Sequence, residues 1–221
     1  MQNIVVIVAG GKGERMGANV PKQFLELQGT PILMHTINNF YKFNKDFIIR
    51  LVLPKSQVEL WKDLCKKHNF NLPIEIYEGG DNRFQSVTNG IVNLPASSLV
   101  GIHDGVRPLV SHTTINNCYF AAEQFGAAIP VISPVESIRY RDKEESKPVD
   151  RSKYVLIQTP QVFKSEILTE AYNTEYQEWF TDDASVVEHA GHKIHLIEGN
   201  RENIKITSPI DLKIGEALMG L

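Results

Sequence analysis

Five consecutive apolar residues, Ile4-Val5-Val6-Ile7-Val8, run without a polar break into a glycine-rich stretch, Ala9-Gly10-Gly11-Lys12-Gly13-Glu14-Arg15-Met16-Gly17. A strand that is apolar at every position must be covered on both faces, which is the condition of a strand inside a mostly parallel sheet between helix layers. The chain that follows keeps that rhythm. Thr30-Pro31 reads as a capping residue and first-turn proline, opening a helix with Leu33, Ile37, Phe40 and Tyr41 on one face. Ile48–Leu53 reads as a strand stopped by Pro54, and Ser56 as the cap of a helix that faces inward with Trp61, Leu64 and Cys65. Ile74–Tyr77 is a short strand before Gly79-Gly80, and Asp81 is placed to cap a helix that buries Phe84, Val87 and Ile91. Leu99–His103 is the next strand. Ser111 then caps a helix with Ile115, Cys118, Tyr119 and Ala122 inside, Gly126 ends it, and Ala127–Ile132 follows as a strand. Ligands of such sheets bind beyond the carboxyl ends of the strands, so the loops after Val8, Tyr77, His103 and Ile132 are the informative ones.

Composition narrows the class. At 221 residues, 42% hydrophobic and 22% charged, the chain fits one soluble domain, 1–221, with a sizeable core. A net charge of −3 argues against general nucleic-acid or acidic-membrane binding. The apolar run at Ile4–Val8 is far too short to span a bilayer, and no basic segment precedes it, so a cytoplasmic protein is expected. Cys65 and Cys118 lie in no metal-like cluster and read as small core hydrophobes of a reducing compartment.

One segment breaks the alternation. Val135–Tyr140 and Pro148–Ile157 are extended runs on either side of the charged stretch 141–146, which reads as the turn of a β-hairpin projecting from the domain. An isolated hairpin is marginal in water, so this arm, 135–157, is expected to pack on a partner chain. Beyond it, 182–190 reads as a helix ended by Gly191, Lys193–Ile197 and Asn203–Thr207 as strands, and Ser208-Pro209 as the start of a C-terminal helix.

The glycine loop is the strongest chemical signal. Its four glycines let backbone N–H groups approach a phosphate, although glycines after a strand are also ordinary turn material. It is neither a Walker A loop, lacking the closing Gly-Lys-Ser/Thr, nor a dinucleotide fingerprint, whose spacing it misses. Arg15 and Lys22, close behind it, are placed to neutralise a polyphosphate. No Ser–His–Asp, Cys–His or metal-like His spacing is evident.

Six further stretches stand in order along the chain: 79–87 (Gly-Gly-Asp-Asn-Arg-Phe-Gln-Ser-Val), 103–108 (His-Asp-Gly-Val-Arg-Pro), 149–152 (Val-Asp-Arg-Ser), 158–163 (Gln-Thr-Pro-Gln-Val-Phe), 181–185 (Thr-Asp-Asp-Ala-Ser) and 203–207 (Asn-Ile-Lys-Ile-Thr). With the glycine loop and Pro21-Lys22-Gln23-Phe24-Leu25, the chain resembles the 2-C-methyl-D-erythritol 4-phosphate cytidylyltransferase family over essentially its whole length. The resemblance implies a three-layer, mostly parallel, Rossmann-like α/β nucleotidyltransferase sheet with a β-hairpin dimerisation arm. It implies attack of a sugar-alcohol phosphate on the α-phosphorus of CTP, with Mg²⁺ or another divalent cation, in non-mevalonate isoprenoid precursor biosynthesis.

Carried over residue by residue, the resemblance makes Arg15, Lys22 and Lys205 catalytic. It places Ala9, Gly10, Gly11, Gly13, Gly80, Asp81 and Ser86 around CTP, and Asp104 near the metal and the acceptor. Arg107, Ser137, Arg151, Thr159 and Thr181 match acceptor-side positions, with Arg151 serving the neighbouring subunit's site. The bland alternatives are that Asp81 only caps its helix, that Asp104 ties down a turn, and that Arg107 and Thr181 are structural. The chain departs from the family pattern at Gly10 and at Gly105-Val106, where alanines are usual, and at Ser137, where threonine is. The competing functions are a ribitol 5-phosphate cytidylyltransferase and a catalytically silent nucleotide-binding protein.

Overall fold

The computed structural model describes residues 1–10 and 20–220. Its strands are β1 (Gln2–Val8), β2 (Glu26–Leu27), β3 (Thr30–Pro31), β4 (Ile48–Leu53), β5 (Glu75–Glu78), β6 (Ser98–Asp104), β7 (Ala127–Ile132), β8 (Arg139–Asp142), β9 (Glu145–Pro148), β10 (Leu156–Ile157), β11 (Gln161–Lys164) and β12 (His195–Glu198). Its helices are α1 (Ile32–Phe43), α2 (Val58–Lys67), α3 (Arg83–Gly90), α4 (His112–Phe125), α5 (Ser165–Ala171), α6 (Asp183–His189) and α7 (Pro209–Met219).

The main sheet has the order β10-β7-β11-β6-β1-β4-β5, with β12 pairing parallel to β7. β1 lies parallel to both β4 and β6, and β4 parallel to β5. The alternation along β1 explains the unbroken apolar run. Val5 and Ile7 join a core with Phe40, Trp61, Ile115 and Tyr119 under α1, α2 and α4. Ile4 and Val6 join a second core with Val87, Leu168 and Val187 under α3, α5 and α6. The sheet is mixed: β11 enters antiparallel between β6 and β7, where the sequence pattern showed no strand.

Several boundaries differ from the sequence reading. Thr30 does not cap α1; Thr30–Pro31 pairs with Glu26–Leu27, and the helix begins behind it without a side-chain cap. Ser56 lies in a 3₁₀ turn at Lys55–Gln57, so α2 starts at Val58. Asn82, not Asp81, caps α3, its side chain accepting the Gln85 N–H at 2.8 Å. Ser111 does cap α4, and Gly126 ends it at φ +93°, a left-handed conformation that suits glycine. Asn203–Thr207 forms no strand; Ile206 N–H donates to the Val106 carbonyl at 2.9 Å and fixes the segment across the sheet end. Cys118 is buried and Cys65 half-buried, both as thiols.

The arm is shorter than expected. β8 and β9 pair from Arg139↔Pro148 to Asp142↔Glu145, so the charged residues are mostly strand and the turn is Lys143-Glu144. Every residue of both strands is exposed, so charge costs nothing on either face. Arg151 lies beyond the returning strand, in a 3₁₀ turn, and its guanidinium donates to the Val135 carbonyl.

Candidate active site

Two cavities, each about 240 Å³, open at the carboxyl end of β1 and β6 and, among the described residues, share Arg83, Asp104 and Lys205. Ala9, Gly10, Lys22, Gly80, Asp81 and Ser86 line the first. Arg107, Gln158, Thr159, Gln161 and Thr181 line the second. The loops after β1, β5 and β6 thus converge as the sheet topology requires. The loop after β7 does not; Ile132 and Ser133 border a separate hollow with Leu196 and Arg201.

In the first cavity, Ser86 is buried and accepts the Gly80 N–H at 3.1 Å while donating to the Asn82 carbonyl at 2.8 Å. The Asp81 side chain has no capping duty and stands exposed at the rim. Lys22 opens a 3₁₀ turn, Lys22–Phe24, whose Gln23 is buried and donates to the Ala9 carbonyl at 2.8 Å. That bond ties the Pro-Lys-Gln segment to the end of β1 and so fixes where Lys22 starts. A Cβ at Gly105 would lie 2.9 Å from the Cβ of Ala9 and 3.1 Å from Leu33 Cδ1, so the backbone packs closely there. Gly11, Gly13 and Arg15 lie outside the described residues.

Asp104 sits where the cavities meet. Lys205 Nζ is 3.0 Å and Arg107 Nε 3.1 Å from its Oδ2. Burial alone would raise its pKa, but Lys205, Arg83 and Arg107 outweigh burial and hold the carboxyl well below the usual range. Asp104 is therefore a fixed anion, and it orients Lys205 towards the shared space. Arg107 also donates to the Asn203 carbonyl at 2.7 Å, so it braces the segment that carries Lys205.

Behind Asp104 a second set of bonds fixes the wall of the second cavity. His103 is fully buried, with Nε2 3.0 Å from the Arg107 carbonyl and Nδ1 3.1 Å from Thr159 Oγ1. A carbonyl only accepts, so Nε2 carries the proton and Nδ1 accepts from the Thr159 hydroxyl. Thr159 Oγ1 in turn accepts the Asp104 N–H at 3.1 Å. Burial pushes the His103 pKa down to about 4, which keeps the ring neutral. Asn203 donates to the Thr159 carbonyl at 2.8 Å, and Gln158 donates to the Asn200 carbonyl at 2.9 Å.

Sequence reasoning passed over the Arg83–Asp183 pair. Arg83 donates through both terminal nitrogens to the two Asp183 oxygens, at 2.8 and 2.6 Å, and Tyr172 Oη donates to Asp183 Oδ1 at 2.7 Å. Thr181 is at the site, but Ser137 and Arg151 border neither cavity of their own chain; both are exposed near the arm.

A cavity at the end of β1, lined by Ala9, Gly10 and Lys22 and sharing Arg83, Asp104 and Lys205 with a second cavity on a mixed α/β sheet, marks a nucleotidyltransferase-type domain. The chain belongs to the IspD family, 2-C-methyl-D-erythritol 4-phosphate cytidylyltransferase, whose model matches residues 3–220. It is 52% identical over 219 residues to the 2-C-methyl-D-erythritol 4-phosphate cytidylyltransferase of Bacteroides thetaiotaomicron, covering 99% of this chain and 100% of that one. The Phocaeicola vulgatus protein of the same name is 53% identical with the same coverage. The crystal structure of the Thermus thermophilus enzyme superposes with a TM-score of 0.81 at 30% identity, covering 100% of both chains.

Proposed function

We propose that the chain transfers the cytidylyl group of CTP to the phosphate of 2-C-methyl-D-erythritol 4-phosphate, releasing diphosphate. The observation that carries this reading is the junction of the two cavities at Arg83, Asp104 and Lys205, which gives one reaction centre a nucleotide on one side and an acceptor on the other. An acceptor phosphate oxygen forms a bond to the α-phosphorus, and the bond to the β-phosphate oxygen breaks with its electron pair leaving on diphosphate. The attacking oxygen is already anionic near neutral pH, so no general base is needed. The reaction instead needs two repelling anions aligned and the developing charge stabilised. Lys22 and the glycine loop, with Arg15, serve the triphosphate from one side; Lys205, held by Asp104, serves the α-phosphate from the other. Gly80, Asp81 and Ser86 surround the base, where Ser86 has its hydrogen committed to Asn82.

A divalent cation fits as a partner of substrate more than of protein. Among the described residues no group of three acidic, His or Cys side chains could hold an ion. Asp104 has one oxygen shared by two cations and can offer the other as a single ligand, the remaining positions being phosphate and water oxygens, as Mg²⁺ commonly prefers. Such an ion would supply charge neutralisation on the phosphates.

The arm exposes Val135, Tyr140, Tyr154, Val155, Leu156 and Ile157, and we take a second copy of the chain to cover them. In that homodimer Arg151 serves the acceptor in the partner's site, and Ser137 is a further acceptor-side residue. The two unpaired thiols suit a reducing, cytoplasmic setting. No helix among the described residues is long and apolar enough to cross a membrane. A pyrophosphate-release assay with each of the four nucleoside triphosphates and a panel of polyol phosphates tests the proposal. Activity with CTP and methylerythritol phosphate is expected; preference for another nucleotide would overturn it.

A further inference from the structure

We propose that Arg83 is a third cationic residue of the reaction centre, contacting an anionic oxygen of the phosphoryl group in transfer, and that Asp183 is the positioning residue that aims it. The inference rests on the cytidylyl-transfer reading and adds two residues to it. The junction of the nucleotide and acceptor cavities is where the transferred phosphorus must sit, and among the described residues three side chains border both cavities. Asp104 and Lys205 have roles already. Among the described residues Arg83 is the remaining one.

The geometry suits a working group better than a simple tie. Asp183 is completely buried, and its carboxylate takes two guanidinium bonds and one from Tyr172. The pairing is end-on through the two terminal nitrogens. A guanidinium has five N–H bonds in a rigid fork, so three stay unspent on Asp183 while the plane is held fixed. The Arg83 side chain keeps 31% of its surface accessible, against 0% for Asp183. The buried partner anchors, and Arg83 borders both cavities. Arg83 opens α3 directly behind the Gly80-Asp81 base pocket, and Asp183 opens α6 directly behind Thr181 on the acceptor side. The pair therefore also sets the spacing between the two substrate walls. Phe84 stacks on Tyr172 at 4.8 Å between ring centroids, which holds the Tyr172 hydroxyl on the carboxylate.

The test separates this from a purely structural latch. Arg83→Lys keeps a charge but loses the fork, and Asp183→Asn keeps the shape but releases it. Each should lower kcat with methylerythritol phosphate roughly 10- to 100-fold, the range for losing a hydrogen bond to a charged group. The Kd for CTP, titrated without acceptor, should change less than about threefold, because the pair is aimed at the transition state and not at the base. Rates are taken per folded molecule, because breaking a buried pair also lowers stability. Should either single variant fail to fold, Arg83→Met with Asp183→Leu removes both charges together and can restore folding by packing. We expect that double variant to fold, bind CTP and remain as slow as Arg83→Lys. Near-wild-type kcat in the folded double variant would overturn the proposal and leave the pair a latch. If wild type itself released no pyrophosphate with this acceptor, the functional reading would fail instead.

Discussion

The buried His103 ring makes acid sensitivity a quantitative matter. Its pKa falls from 6.5 to about 4 through burial, and its two nitrogens are engaged, Nε2 donating to Arg107 and Nδ1 accepting from Thr159. The unfolded chain binds a proton at this ring below pH 6.5 that the folded chain refuses until about pH 4, so stability must fall as pH falls through that window. At about pH 5 the difference amounts to about 2 kcal/mol, and above about pH 7 it vanishes. For a domain of this size that is a loss of roughly 4–8 °C in Tm between about pH 7.5 and 5. Other groups also titrate, so the informative quantity is the Tm of wild type minus that of His103→Gln, measured across the range. Gln keeps an N–H for the Arg107 carbonyl and removes the titration. The difference should favour wild type most at the neutral end and shrink by several degrees towards the acid end. A difference that stays constant to within about 1 °C, well under the shift expected from the linkage, would refute the reasoning. Asp104 acts in the same direction only at lower pH, since its unfolded value is 3.8 and its folded value lies below that.

Further outcomes follow from the site. Lys22→Ala and Lys205→Ala should each lower kcat roughly 100-fold or more with a smaller change in CTP binding, read by steady-state kinetics and titration; a defect confined to KM for CTP would make that lysine a plain binding group. Replacing residues 139–148 by a short glycine linker should yield a folded monomer by sedimentation equilibrium, because the arm strands have no buried residue in their own chain. Mixing Lys22→Ala with Arg151→Ala protomers should restore about a quarter of wild-type activity after subunit exchange, since random assortment makes half the dimers mixed and gives each of those one intact site. No recovery after verified exchange would place Arg151 in its own chain's site.

Much of the fold was legible because period and punctuation act locally. The unbroken run at Ile4–Val8 demanded two covered faces, and β1 has them; Ser111 and Gly126 bounded α4 as their chemistry suggests. What escaped depends on pairing over distance. β11 begins at the polar Gln161, and periodicity cannot say that it will run antiparallel between β6 and β7. Charge at 141–146 read as turn, since a half-buried strand would exclude it, whereas a fully solvated hairpin does not. Lys22, Asp104 and Lys205, each in a different motif, line one cavity. Arg83 and Asp183 lay inside quoted motifs yet stayed unseen as a pair, being one hundred residues apart and each ordinary at a helix start. The available signal was that a charge so close to an apolar helix face needs a partner; Arg50, buried in β4, follows the same rule by donating to the Gly90 and Val92 carbonyls at the end of α3.

In the proposed reaction two anions meet at Asp104, Lys205 and Arg83, and the new bond forms at the α-phosphorus. Phosphorus NMR of the enzyme turning over CTP and methylerythritol phosphate reads this directly. A pair of mutually coupled signals is expected from a new P–O–P linkage joining the α-phosphorus of CTP to the acceptor phosphate, growing in step with one equivalent of pyrophosphate. Growth of CMP or CDP signals in its place, or an acceptor phosphate resonance left unchanged while CTP is consumed, would contradict it.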